Sequence, residues 1–101
     1  MLRNKAINAH YDRAHKSLVV EFADGSASMW PMRLLEMVRY DGRNWVPVEA
    51  TETQLEAVEP GGERVYWDEL GQDFLISDLK AGIYGRDAWM TKIEQQMAIV
   101  S

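Results

Sequence analysis

The sequence lacks cysteine altogether, and nowhere does an apolar run approach the length of a membrane-spanning helix. Without thiols there is no disulfide framework, no Cys-based zinc site and no thiol nucleophile, and a reducing compartment fits best. A span needs about 20 consecutive apolar residues. The N-terminal Met1-Leu2-Arg3-Asn4-Lys5 leads into alternating residues and not into the apolar core of a signal peptide. The expectation is a cytoplasmic protein with no membrane partner. Bases are also scarce, 11 against 16 acids for a net charge of −5. Residues 49–78 carry nine acids against one base, Arg64, a local net charge of −8. That segment repels phosphate backbones, so direct nucleic-acid binding is not expected, whereas a basic protein partner would suit it. No Gly-rich phosphate loop, His-Glu-x-x-His pattern, internal repeat or heptad run is present.

Apolar and aromatic residues are plentiful: 47% of the chain is hydrophobic, with four Trp, four Tyr and two Phe. One folded domain with one core is implied. Residues 5–11 alternate so that Ile7, Ala9 and Tyr11 share a strand face, and Leu18, Val20 and Phe22 do the same in residues 17–22. A four-residue loop Asp12–His15 would set Tyr11 opposite Lys16, Ala9 opposite Leu18 and Ile7 opposite Val20. A two-residue Asp24-Gly25 loop would set Phe22 opposite Ala27 and Val20 opposite Met29. Both turns put the same face inward, and Val19 and Trp30 fall on the other. This predicts an antiparallel meander.

Pro31 followed by Leu34, Leu35 and Val38 predicts a short helix stopped by Asp41-Gly42, and residues 43–50 read as a connector in which Trp45 plugs the edge of the core. Thr51-Glu52-Thr53-Gln54 fits a capping box that starts about one helical turn. Leu55–Glu59 and Glu63–Trp67, separated by Pro60-Gly61-Gly62, form a second hairpin. The stretch Val65–Leu79 then runs from strand through an acidic turn, Asp68–Asp73, to a short helix at 77–81 capped by Ser77 and ended by Gly82. Beyond Gly85, Trp89, Ile93, Met97 and Val100 fall on one face of a tail helix. The fold class is therefore α+β: a small antiparallel sheet, meander plus second hairpin, with short helices packed on it and an amphipathic C-terminal helix. Residues 1–85 make the domain and residues 86–101 its helical extension.

Asp24-Gly25, Pro31, Thr51-Glu52-Thr53-Gln54, Trp67–Asp73 and Ile76–Gly82, taken in this order, resemble the bacterial domain of unknown function 2442 family over roughly residues 5–83. The departures are a longer insertion at about Val38–Val48, Gly71-Gln72 where that family has an acidic pair, and the tail helix. The resemblance implies a small α+β domain with no established activity, doing accessory or antitoxin-like work. Nothing in it implies a cofactor.

Two function classes follow. In the first, the protein is a non-enzymatic interaction module. Glu56, Glu59, Glu63, Asp68, Glu69 and Asp73 would bind a basic partner, and Trp89, Ile93 and Met97 would mediate docking or self-association. In the second, Asp68, Glu69 and Asp73 would hold a divalent cation for a small hydrolase, since hard ions take several oxygens from one turn; their spacing does not match the calcium loop. His10, Asp12, His15 and Ser17 are the only other group with acid–base vocabulary. The expected register puts His10 and Ser17 on the outer side of the first hairpin and the other two in its loop. No catalytic residue, metal ligand or cofactor is assigned.

Overall fold

The computed structural model describes residues 4–100, with side chains for residues 4–96. Alternating apolar residues build the first sheet, in which β1 (Ala6–Asp12), β2 (Ser17–Phe22) and β3 (Ala27–Pro31) pair antiparallel in chain order. Its core face differs from the expected one in two instructive ways. In the first hairpin Tyr11 lies opposite Leu18 and Ala9 opposite Val20, two residues away from the expected register. Two residues is one full pleat, so the inward face survives the shift. A bulge between Ala6 and Asn8 then turns Ile7 outward, where it is 63% exposed, and Ala6 takes its place in the core.

In the second hairpin Val20 lies opposite Ser28 and Leu18 opposite Trp30, a slip of one residue. An odd slip does exchange the faces. Trp30 is buried, while Ala27 and Met29, expected inside, are exposed. The cause is the turn. Phe22 N donates to Ser26 O at 2.8 Å and Gly25 N to Phe22 O at 3.0 Å, so the loop has three residues, with Gly25 at φ +89°. That left-handed residue makes the extra position that a three-residue hairpin loop needs. Asp24 Oδ1 also accepts from Ser26 N at 2.8 Å.

The expected helix after Pro31 does not form. A single 3-10 turn, Met32–Leu34, inserts Leu34 and Leu35, and the chain then makes a hairpin of β4 (Val38–Tyr40) and β5 (Trp45–Pro47). Asp41-Gly42 is the hairpin turn and not a helix stop. Asp41 Oδ1 accepts from Arg43 N and Asn44 N at 2.8 and 2.7 Å, and Gly42 sits at φ +100°. Tyr40 and Trp45 pair across the strands with ring centroids 5.4 Å apart. Trp45, expected to plug the core, is 52% exposed.

Thr51 starts α1 (Glu52–Leu55) with both halves of its capping box made. The third sheet, β6 (Glu59–Pro60), β7 (Arg64–Trp67) and β8 (Gln72–Leu75), contains the second hairpin, with a first strand of two residues in place of the expected Leu55–Glu59 because Leu55 closes α1, and continues it through the turn after Trp67. α2 (Ile76–Lys80) follows directly. Ser77 does not cap it: the helix starts one residue earlier, with Leu75 at the N-cap position, and Ile76 N, the first free amide, donates to Glu63 O at 2.9 Å. α3 (Asp87–Val100) ends the chain. The sheets meet where Ala6 N donates to Gly62 O at 2.8 Å. Leu18, Val20, Phe22, Val65, Trp67 and Leu79 are the innermost side chains between them.

The short helical pieces are too brief to persist alone, and three indoles hold their ends. The Nε1–H of Trp89 donates to Leu34 O at 2.7 Å, that of Trp67 to Leu55 O at 2.8 Å and that of Trp30 to Leu79 O at 3.2 Å. Each acceptor lies in the last turn of the 3-10 piece, α1 or α2, where the indole adds to the backbone bonds that Leu55 O receives from Val58 N at 3.4 Å and Leu79 O from Gly82 N at 3.1 Å. One side chain thus fills core volume and satisfies a helix end.

Candidate functional site

Two surfaces have the residues to do something. The first is the acidic one read from the sequence. The structure places its residues on α1, β6, β7, β8 and their turns and brings some of them together: Glu59, Asp68 and Glu69 line one depression with Gln54 and Ala57. Others are engaged within the chain. Glu56 receives Arg13 Nη2 at 2.6 Å, Asp73 receives Arg64 Nη1 at 3.0 Å, Glu69 accepts from Gln54 Nε2 at 3.3 Å, and Glu52 accepts from Tyr11 Oη at 3.1 Å. Glu63 is exposed and also engaged. The hydrogen bond to Glu59 and its charge, followed by burial and the charge of Asp68, raise the Tyr66 phenol above its ordinary pKa.

For cation chemistry this arrangement is wrong. Among the described residues no group of three His, Asp or Glu converges as metal ligands would. Asp73 points to Arg64, and Glu69 to Gln54, instead of to a shared point with Asp68. The other acid–base group is likewise local. Asp12 holds His15, Nδ1 to Oδ2 2.7 Å, which lowers the carboxyl pKa, while Ser17 Oγ donates to His15 O at 2.9 Å. Ser17 lies opposite Asp12, and His10 opposite Val19. The hydroxyl, imidazole and carboxylate do not form a relay.

The second surface is a recess of about 550 Å³ between the β4–β5 hairpin, the 3-10 turn and the start of α3. Met32, Leu35, Met37, Trp45, Val48 and Trp89 give it apolar walls. One carboxylate lies at its base. Glu36, with a side chain only 5% exposed, receives a fork from Arg86: Nε to Oε1 3.0 Å and Nη2 to Oε2 2.6 Å. Arg86 N adds a third bond to Oε1 at 3.0 Å. Hydrogen bonding to Arg86 outweighs burial and holds the Glu36 carboxyl below its usual range. Gly85 makes the approach possible, since a Cβ there would lie 2.5 Å from Glu36 Cβ. The Arg86 guanidinium carbon is 5.6 Å from the Trp45 ring centroid, and Lys92 Nζ is 5.7 Å from that of Trp89.

The hairpin wall is tied to the rest by Gln72. Its Oε1 accepts from Val38 N at 3.2 Å and its Nε2 donates to Val38 O at 2.8 Å, so one amide substitutes for a strand pair. A carboxylate at 72 could accept but not donate. Gln72 thus joins the β4–β5 hairpin to the third sheet.

Of the tail residues named from sequence, Trp89 lines this recess, while Ile93 is buried in the core and is not available as a docking residue. Met97 lies outside the described side chains. Sequence reasoning passed over Glu36 and Arg86, and assigned Trp45 to the edge of the core. The signal that could have found the hairpin was Asp41-Gly42 flanked by alternating Val38-Arg39-Tyr40 and Trp45-Val46-Pro47.

Among solved structures, a protein of unknown function from Rhodospirillum rubrum ATCC 11170 is 33% identical, with a TM-score of 0.72; the match covers 88% of this chain and 99% of that one. The chain belongs to that protein's family. This family of unknown function shares the α+β architecture described above. No family model matches the chain, and no curated protein does. Among the described residues no helix is long and apolar enough to cross a membrane.

Proposed function

We propose that the protein is a non-enzymatic, cytoplasmic protein-interaction module of the domain of unknown function 2442 type, with an accessory or antitoxin-like role, and that it docks its partner in the recess beside Trp45. The observation that carries this reading is the half-exposed Trp45, next to Tyr40 and Arg86, over an apolar hollow. Trp, Tyr and Arg dominate binding energy where proteins meet, and a tryptophan left 52% exposed offers about half of its surface to a partner.

A second reading has a basic partner on the acidic surface, and the depression that Glu59, Asp68 and Glu69 share favours it. Photo-crosslinking in cells separates the two. A benzoylphenylalanine at exposed Ala88 lies in the recess, one at exposed Ala57 lies in the acidic depression, and one at His10 on the outer sheet face is the control. The recess reading expects a protein adduct from Ala88 alone. An adduct from Ala57 alone would transfer the function to the acidic surface. An adduct at twice the chain's mass would identify self-association. Adducts no stronger than from His10 would refute docking at either place.

A further inference from the structure

The recess has a charge opposite to that of the molecule that carries it. Arg33, Arg86 and Lys92 line it, and its one carboxylate, Glu36, is consumed by Arg86. The lining therefore carries three cations against one anion, in a chain of net charge −5. Neither Arg33 nor Lys92 has an ion pair among the described residues, and neither does Arg43 on the adjoining hairpin turn. Apolar walls with unpaired cations at the rim select both properties in a ligand.

We propose that the occupant of this recess is an acidic amphipathic peptide segment of a partner protein, its apolar side chains against Trp45, Met37 and Trp89 and its carboxylates on Arg33 and Lys92. The inference rests on the docking reading above and adds the chemistry of the partner. Charge complementarity carries it. A basic segment would meet Arg33, Arg86 and Lys92 with no free carboxylate in return, and a purely apolar one would leave those cations unanswered as water is expelled. The exposed Tyr40–Trp45 pair continues the apolar strip beyond the hollow itself. A chain segment covers such a strip, whereas a compact small molecule fills only the hollow.

The test is a random-peptide display selection against the full chain, with counter-selection against Trp45→Ala, a substitution at a half-exposed site that should leave the fold intact. The peptides retained should combine carboxylates with Leu, Ile, Phe or Trp. The fluorescence anisotropy of a labelled retained peptide should show binding weakened by about tenfold or more in Arg33→Glu/Lys92→Glu, and strengthened at low ionic strength. Circular dichroism of that variant confirms that it is folded. Retained peptides that are basic or neutral, or acidic ones indifferent to the double substitution, would overturn the proposal while the docking recess stood. Failure to retain any Trp45-dependent peptide would overturn both. Binding of labelled oligothymidylate at comparable affinity would show the Trp–Arg surface to be a base-stacking one, and would overturn the proposal as well.

Discussion

Glu36 and Arg86 allow an asymmetric test of how the recess is held. Replacing Arg86 by Met keeps most of the aliphatic stem but leaves a carboxylate, 5% exposed, with one backbone N–H and no counter-charge. An unpaired buried Glu36 costs roughly 3 kcal/mol at neutral pH, at the low end for broken buried pairs because the recess is open on one side. The converse change, Glu36→Gln, keeps an acceptor for Arg86, whose side chain is already 45% exposed, and costs about 1 kcal/mol. Acid should narrow the difference. In the wild type the lowered Glu36 pKa adds stability above the ordinary carboxylate value of about 4.3, and this is lost as pH falls through the folded value. In Arg86→Met the stranded carboxyl is raised instead, a penalty that protonation removes. Urea unfolding at about pH 7 and about pH 4.5 should therefore show the deficit of Arg86→Met shrinking on acidification by more than half. A deficit independent of pH, or one no larger than that of Glu36→Gln at neutral pH, would refute the buried-pair argument.

Gly85→Ala should destabilise by about 1–3 kcal/mol, because the added Cβ meets Glu36 Cβ and not a yielding side-chain tip; thermal unfolding measures it. Gln72→Glu loses the donor to Val38 O and should cost about 1–2 kcal/mol, with faster amide exchange confined to residues 38–47. Thr51→Ala removes one half of the capping box and should cost about 1 kcal/mol in the same unfolding assay. Titration with magnesium, manganese or calcium should produce no saturable heat, and a transition abolished by Asp68→Asn would contradict the geometry of the acidic turn.

How much of this was legible in the sequence depends on which forces had a local signature. The meander was readable because a strand's period of two survives an even register shift, as Tyr11 and Leu18 show. It was misread at β3 because Asp24-Gly25 serves two-residue and three-residue loops alike, and only the left-handed Gly25 within a loop starting at Ala23 decides. Thr51–Gln54 declared itself through side chains that bond their own backbone. Ser77 misled for the opposite reason, since Glu63, far back along the chain, already met the need of the helix start. The candidate site was hidden because its parts come from residues 32–50 and 86–92, and nothing near Glu36 announces Arg86. The acidic surface, by contrast, lies in one continuous stretch and could be seen at once.

The four tryptophans divide unevenly. Three are wedged against helix-end carbonyls, and the fourth stands half in solvent at the mouth of the recess. The chain is thus born with its own optical label. An aqueous quencher such as acrylamide reaches the indole at Trp45, and to a lesser degree that of Trp89 on the recess wall, while Trp30 and Trp67 emit from shielded positions. Loss of quenching would report occupancy of the recess without dye or tag, and the blue-shifted remainder would report, in the same spectrum, that the two buried rivets are still in place.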